Sequence, residues 1–226
     1  MEHVKRTPLS ERVMPCYTTG EEVMNMVTHI VGGALGVVVL TLGVIIAARH
    51  SNAWGVTGCA VYGASMIFLY AVSSVYHGLN EGTGKRVMQV VDHCTIYLLI
   101  AGTYTPVMLS AVRPEHPALA WTVFGCECGL ALAAAAFTAI DLKKYGRLSM
   151  ACYIGMGWFI VIALRPTVRA LTMGGFAWLL AGGLAYTVGA ALYAVGKKKR
   201  YFHSVFHIFV VIGSALQAVC ILCYAI

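Results

Sequence analysis

Seven apolar runs, most of them long enough to cross a bilayer as a helix, fill almost the whole of this 226-residue chain. A spanning helix needs about 20 such residues, and the runs fall near 25–48, 53–78, 87–111, 118–140, 149–165, 172–195 and 203–225. The fifth is short and lies between Arg147 and Arg165. The runs are continuously apolar rather than alternating, which favours helices over the strands of a barrel. Loops of a handful of residues leave no room for a soluble domain. Only 11% of residues are charged, against about 25% in soluble domains. The sequence therefore predicts an all-α polytopic membrane protein: a short tail over 1–24, then a single seven-transmembrane helical bundle over 25–226. The tail is polar and the first apolar run is long enough to stay as a helix, so no cleavable signal peptide is expected.

Charge sets the expected orientation. Lys5, Arg6, Arg12, Lys85, Arg86, Lys143, Lys144, Arg147, Lys197, Lys198, Lys199 and Arg200 occupy the tail and the even-numbered loops. The odd loops hold only Arg49, Arg113, Arg165 and Arg169. This asymmetry predicts a cytoplasmic N-terminus and an external C-terminus in the cell membrane, that of a bacterium. The net charge of +7 thus reads as orientation and lipid-headgroup contact, with no nucleic-acid partner. Of eight cysteines, seven fall inside apolar spans; they read as small packing residues.

Ionisable groups inside a membrane are costly and need a reason. In the first span Glu22, Asn25 and His29 stand at i, i+3 and i+7, one stripe of a helix. The second span ends with Ser73 and His77 at i and i+4, the third begins with Asp92, and the seventh begins with His203 and His207, again four apart. His203 and His207 lie about 5–11 Å beyond Arg200, and Asp92 about 9 Å beyond Arg86, at the helical rise per residue. Four spans thus deliver polar groups to one layer of the cytoplasmic leaflet. The outer leaflet offers little beyond Glu127 and Gln217.

Metal binding fits such a layer. Residues i and i+4 share a helix face, so His203 and His207 can point at one ion. His77 would complete a three-histidine set, a donor group that suits zinc and leaves a fourth position open. Asp92 and Ser73 would then hold a ligand imidazole or water and serve as the catalytic pair, with Glu22, Asn25 and His29 around the ligands. Elsewhere, the Gly32–Gly36 spacing reads as a close-packing motif, and Pro106 is expected to kink the third span with Thr103 or Thr105 easing the freed backbone.

Glu22-x-x-Asn25-x-x-x-His29, Ser73-x-x-x-His77, the run from Asp92 to Pro106 and His203-x-x-x-His207 together resemble the hemolysin III family. This is the prokaryotic branch of the progestin and adipoQ receptor group, in a superfamily that includes alkaline ceramidases. The resemblance covers the chain from Glu21 onward. It implies seven helices, a cytoplasmic N-terminus and zinc held by His77, His203 and His207 beside Asp92 and Ser73. It also implies lipid chemistry, since related proteins are associated with hydrolysis of ceramide-like amides, with lytic activity or with membrane-lipid homeostasis. The long N-terminal segment of the animal receptors is missing, so hormone binding is not carried over.

Three functions follow as expectations. One is a zinc-dependent hydrolase of a lipid amide or ester, with membrane lipids as partners and an acyl lipid as substrate. The second is a non-enzymatic sensor of membrane-lipid state with structural zinc. The third is a cytolysin or channel, which needs a polar path through both leaflets that the outer half does not supply. A retinal-type pump is excluded, because the seventh span has no lysine.

Overall fold

The computed structural model describes residues 7–12, 14–50, 52–196 and 199–226. Lys5, Arg6, Lys197 and Lys198, part of the charge asymmetry, lie outside them. The described residues form α1 (Thr19–Arg49), α2 (Ala53–Gly78), α3 (Thr83–Thr105, continued by a π-helical segment Pro106–Val112), α4 (Pro117–Ile140), α5 (Gly146–Trp158, continued by a 3-10 segment Phe159–Ala163), α6 (Leu164–Gly196) and α7 (Phe202–Cys220, continued by a π segment Ile221–Ala225). Six helical stretches among them are long and apolar enough to cross a membrane. The chain is an all-helical, multi-pass integral membrane protein.

One of the six stretches runs from Gly146 to Gly196, 51 residues. As a single rod it would measure about 77 Å, more than twice the ~30 Å hydrocarbon core. It is interrupted at Thr172, whose φ of 59° and ψ of 169° leave the helical region. The sequence placed a loop between 165 and 172, but helix continues through Arg165–Leu171 and the break falls on one residue. Pro166 does not end it, because a proline in the first turn of a helix removes no intrahelical bond.

α3 is the central element: every residue from Ala101 to Ser110 is buried. Thr103 and Thr105 donate to the Leu99 and Ala101 carbonyls, and beyond them Pro106 opens the π segment. Gly58 of α2 meets this bend so closely that a Cβ there would lie 2.6 Å from Pro106 Cα. Gly32 likewise seats the Tyr70 ring, at 2.7 Å from an added Cβ, so the Gly32–Gly36 face is the α1–α2 contact. In mid-membrane, Tyr70 and Tyr186 both reach Ser214 Oγ at 2.7 Å, tying α2 and α6 to α7. At one end of the bundle, Asn52 caps α2 and donates to Ser110, which donates to the Ala225 carbonyl. All cysteines are free thiols.

At the opposite end, the tail packs under the bundle. Asp141, in the α4–α5 connection, accepts from the Thr7 N–H at 3.1 Å, and Arg12 donates to the Ile140 carbonyl at 2.9 Å. Arg86 of α3 holds the Ser10 carbonyl. A Thr18–Glu21 capping box then starts α1, and Glu21 also accepts from the Tyr201 N–H, which brings the start of α7 to the same place. The first turns of α1, α3 and α7 and the last turn of α2 therefore meet in one layer.

Candidate metal centre

In that layer the ring nitrogens of His77, His203 and His207 converge, all within 4.8 Å of one another. Nε2 of His203 lies 3.4 Å from Nε2 of His77 and 3.0 Å from Nε2 of His207. The α-helical period accounts for the second distance, and the crossing of α2 over α7 for the first. His77 and His207 are 3% and 2% exposed.

The partners on the far side of the rings fix the tautomers. Nδ1 of His77 is 2.5 Å from the Glu22 carboxylate, an acceptor, so the proton sits on Nδ1. Nδ1 of His207 faces the Asn25 carbonyl at 3.3 Å, again an acceptor. Both Nε2 atoms therefore turn bare lone pairs toward the centre. His203 can offer its own Nε2–H to one of them at 3.0 or 3.4 Å, whereas a cation would engage all three nitrogens at once. A zinc ion suits this donor set, and the carboxylate–histidine arrangement at His77 is the kind that orients metal-ligating imidazoles.

The surrounding groups are themselves held. Glu22 pairs with Lys85 at 2.5 Å, and Asn25 accepts from Ser204 at 2.5 Å while its amide lies 3.4 Å from His77 Nδ1. Glu22 is therefore more than a charge beyond the membrane. Tyr17, the last aromatic residue of the tail, stacks on His203 with ring centroids 5.0 Å apart; burial there holds its phenol neutral well above the usual range. His29 stacks on His207 with ring centroids 3.7 Å apart, outside the converging set. Tyr17, Lys85 and Ser204 are contributions that the sequence reading missed. Ser204 adjoins His203, but nothing in an aperiodic tail marks Tyr17.

Asp92 and Ser73 stand beside the centre, not on its ligands. Both line a cavity of about 420 Å³ that His29, His203 and His207 also line. Asp92 lies 3.9 Å from Nδ1 of its neighbour His93. Ser73 Oγ is buried beside Asp92 without a hydrogen bond of good geometry. The carboxylate that holds one of the three imidazoles is Glu22, and Asp92 lines the cavity. From this polar end the cavity continues between apolar side chains of α3, α5, α6 and α7 as far as Gln217. Glu127 is fully buried in α4 with both oxygens unpartnered, away from this site.

A family model described as "Haemolysin-III related" matches residues 17–218. The chain belongs to the hemolysin III family. It is 37% identical to "Hemolysin-3" of Bacillus cereus over 206 residues, covering 91% of this chain and 92% of that one. It is 35% identical to the "Hemolysin-3 homolog" of Bacillus subtilis (strain 168) over 210 residues, 93% and 97% of the two chains. A more distant similarity, 25% over 225 residues, links it to the human "Monocyte to macrophage differentiation factor", covering 94% and 87%. The hemolysin III match begins at Tyr17 and ends within α7, so every side chain of the histidine centre falls inside it.

Proposed function

We propose that this hemolysin III family member is a zinc-dependent hydrolase that cleaves the amide or ester bond of a membrane lipid. The observation that carries the reading is the junction of a three-histidine centre with a long apolar cavity at the layer of Asp92 and Ser73. The seven-span arrangement belongs to the same reading. The break at Thr172 divides a stretch too long for one crossing, and the split of Lys and Arg argues for a cytoplasmic N-terminus and an external C-terminus.

When bound, zinc on three neutral imidazoles brings the pKa of its water to about 7 and polarises an acyl carbonyl. His77, His203 and His207 would hold it, with Glu22 and the Asn25 carbonyl fixing two of the rings. Asp92 faces the same space and takes the proton that a water attacking an acyl carbon must lose. Ser73, beside Asp92, donates to the polar group of the lipid or to water there. From His203 to Gln217 the cavity follows 14 residues of α7, about 21 Å, against about 15 Å for one leaflet of hydrocarbon. An acyl chain fits that depth with its head at the histidines.

The test is product release from long-chain N-acyl and O-acyl lipids in micelles, with and without a chelator. Chelator-sensitive release, lost in Asp92→Asn, supports the hydrolase. Chelator-insensitive release, or none by zinc-loaded protein from either class, supports a lipid sensor whose zinc clamps α2 to α7.

A further inference from the structure

His29 is 4% exposed, yet neither of its ring nitrogens has a hydrogen-bond partner. A neutral imidazole carries one donor and one acceptor, and a buried polar atom left unpaired is destabilising. Two of its polar neighbours already have partners. One face of the ring lies on His207 at 3.7 Å. Tyr70 meets it edge-on at 5.0 Å, but the Tyr70 hydroxyl is committed to Ser214 and the Val210 carbonyl. The Asn25 oxygen, one turn earlier on α1, accepts from Ser204. His29 also lines the cavity, as do Ser73 and Asp92.

We infer that His29 is a positioning residue that recognises the lipid head through a hydrogen-bond donor on the ligand. The acceptor nitrogen of His29 can be satisfied only by an O–H or N–H. An ester or ether oxygen can accept from the ring's N–H but gives nothing to the acceptor nitrogen. The site therefore selects hydroxyl- or amide-bearing heads over heads that only accept. This rests on the cavity being a lipid site, as proposed above, but needs no turnover.

The experiment measures equilibrium binding to the zinc-loaded full chain in detergent micelles. The probes are a hexadecyl glycerol ether (hydroxyl donors), N-hexadecyl acetamide (an amide donor) and the glycerol ether capped with two methyl groups (no donor). Wild type is expected to hold at least one donor-bearing probe about 10-fold more tightly than the capped ether, the scale of one buried hydrogen bond. The preferred probe tells hydroxyl from amide. His29→Phe should bring that preference to about 2-fold or less while keeping the metal and the affinity for the capped ether, and His29→Gln should restore part of it. If the phenyl ring disturbs the stack and metal is lost, His29→Met is measured in its place. Equal binding of all probes by wild type, or a full preference in a metal-loaded His29→Phe or His29→Met, overturns the inference. An intact preference without any hydrolysis rejects the hydrolase and leaves this inference standing. Hydrolysis without a donor preference does the reverse.

Discussion

The Glu22 carboxylate lies 2.5 Å from Nδ1 of His77 and joins the first turns of α1 to the last turn of α2. Its other oxygen holds Lys85, also at 2.5 Å. This contact sets which nitrogen of His77 faces the histidine centre, and so links the sequence of α1 to that centre on α2 and α7.

Glu22→Gln is expected to weaken zinc binding by about 10–100-fold, the usual effect of losing a partner behind a ligand. The glutamine keeps the shape but can offer Nδ1 a donor instead of an acceptor, and it leaves Lys85 without its ion pair. Zinc affinity by chelator competition checks this, and an affinity equal to wild type would show that Glu22 does not orient His77.

Asp92→Asn is expected to retain zinc and to slow acyl-lipid hydrolysis by about 10²–10⁴-fold, the contribution of a positioned acid–base group. Asp92 stands outside the three-histidine group, so the metal should not leave. Loss of zinc on this substitution would instead assign Asp92 to the metal's support.

Asp141 supplies a pH test of the tail. Thr7 above all, with the Lys144 N–H and the Arg12 charge, holds its carboxyl well below the usual carboxylate range. A depressed carboxyl stabilises the fold above its unfolded pKa, about 4, and the stability is lost as pH falls through the lower folded value. The tail of wild type should therefore loosen in acid below about pH 4. Asp141→Asn should be looser already at neutral pH and show less change below it. Amide exchange of residues 7–12 reads this out, and identical exchange in both proteins at neutral pH would contradict it.

Reporter fusions test the orientation. A reporter after Ile226 is expected to be active only outside the cytoplasm, and one at Lys143 only inside. The reverse pattern would carry the histidine layer to the outer face.

Much of this architecture was legible in the sequence, for identifiable reasons. His203 and His207 share a helix face because of the i, i+4 spacing, and counting from Arg200 and Arg86 gave them the depth of Asp92. The stripe of Glu22, Asn25 and His29 was visible, but its partners were not, since spacing along α1 says nothing of the ring that α2 will place against it. Tyr17 carried no signal because the tail has no period. The sixth apolar run starts at 172, where the break at Thr172 falls, but the charge of Arg165 made 165–172 read as a loop although the helix runs through 165–171. Glu127 was conspicuous as a charge in an apolar span, and its burial supplies no partner that explains it.

The zinc content of the purified protein tests the central claim most directly, measured for wild type, His203→Ala and His207→Ala. Wild type is expected to hold about one zinc per chain, as three histidine donors at a single centre require. Each substitution should lose most of it, because two imidazoles no longer close the site. Equal metal in all three proteins, or none in wild type purified without chelator, would contradict a histidine-held zinc centre.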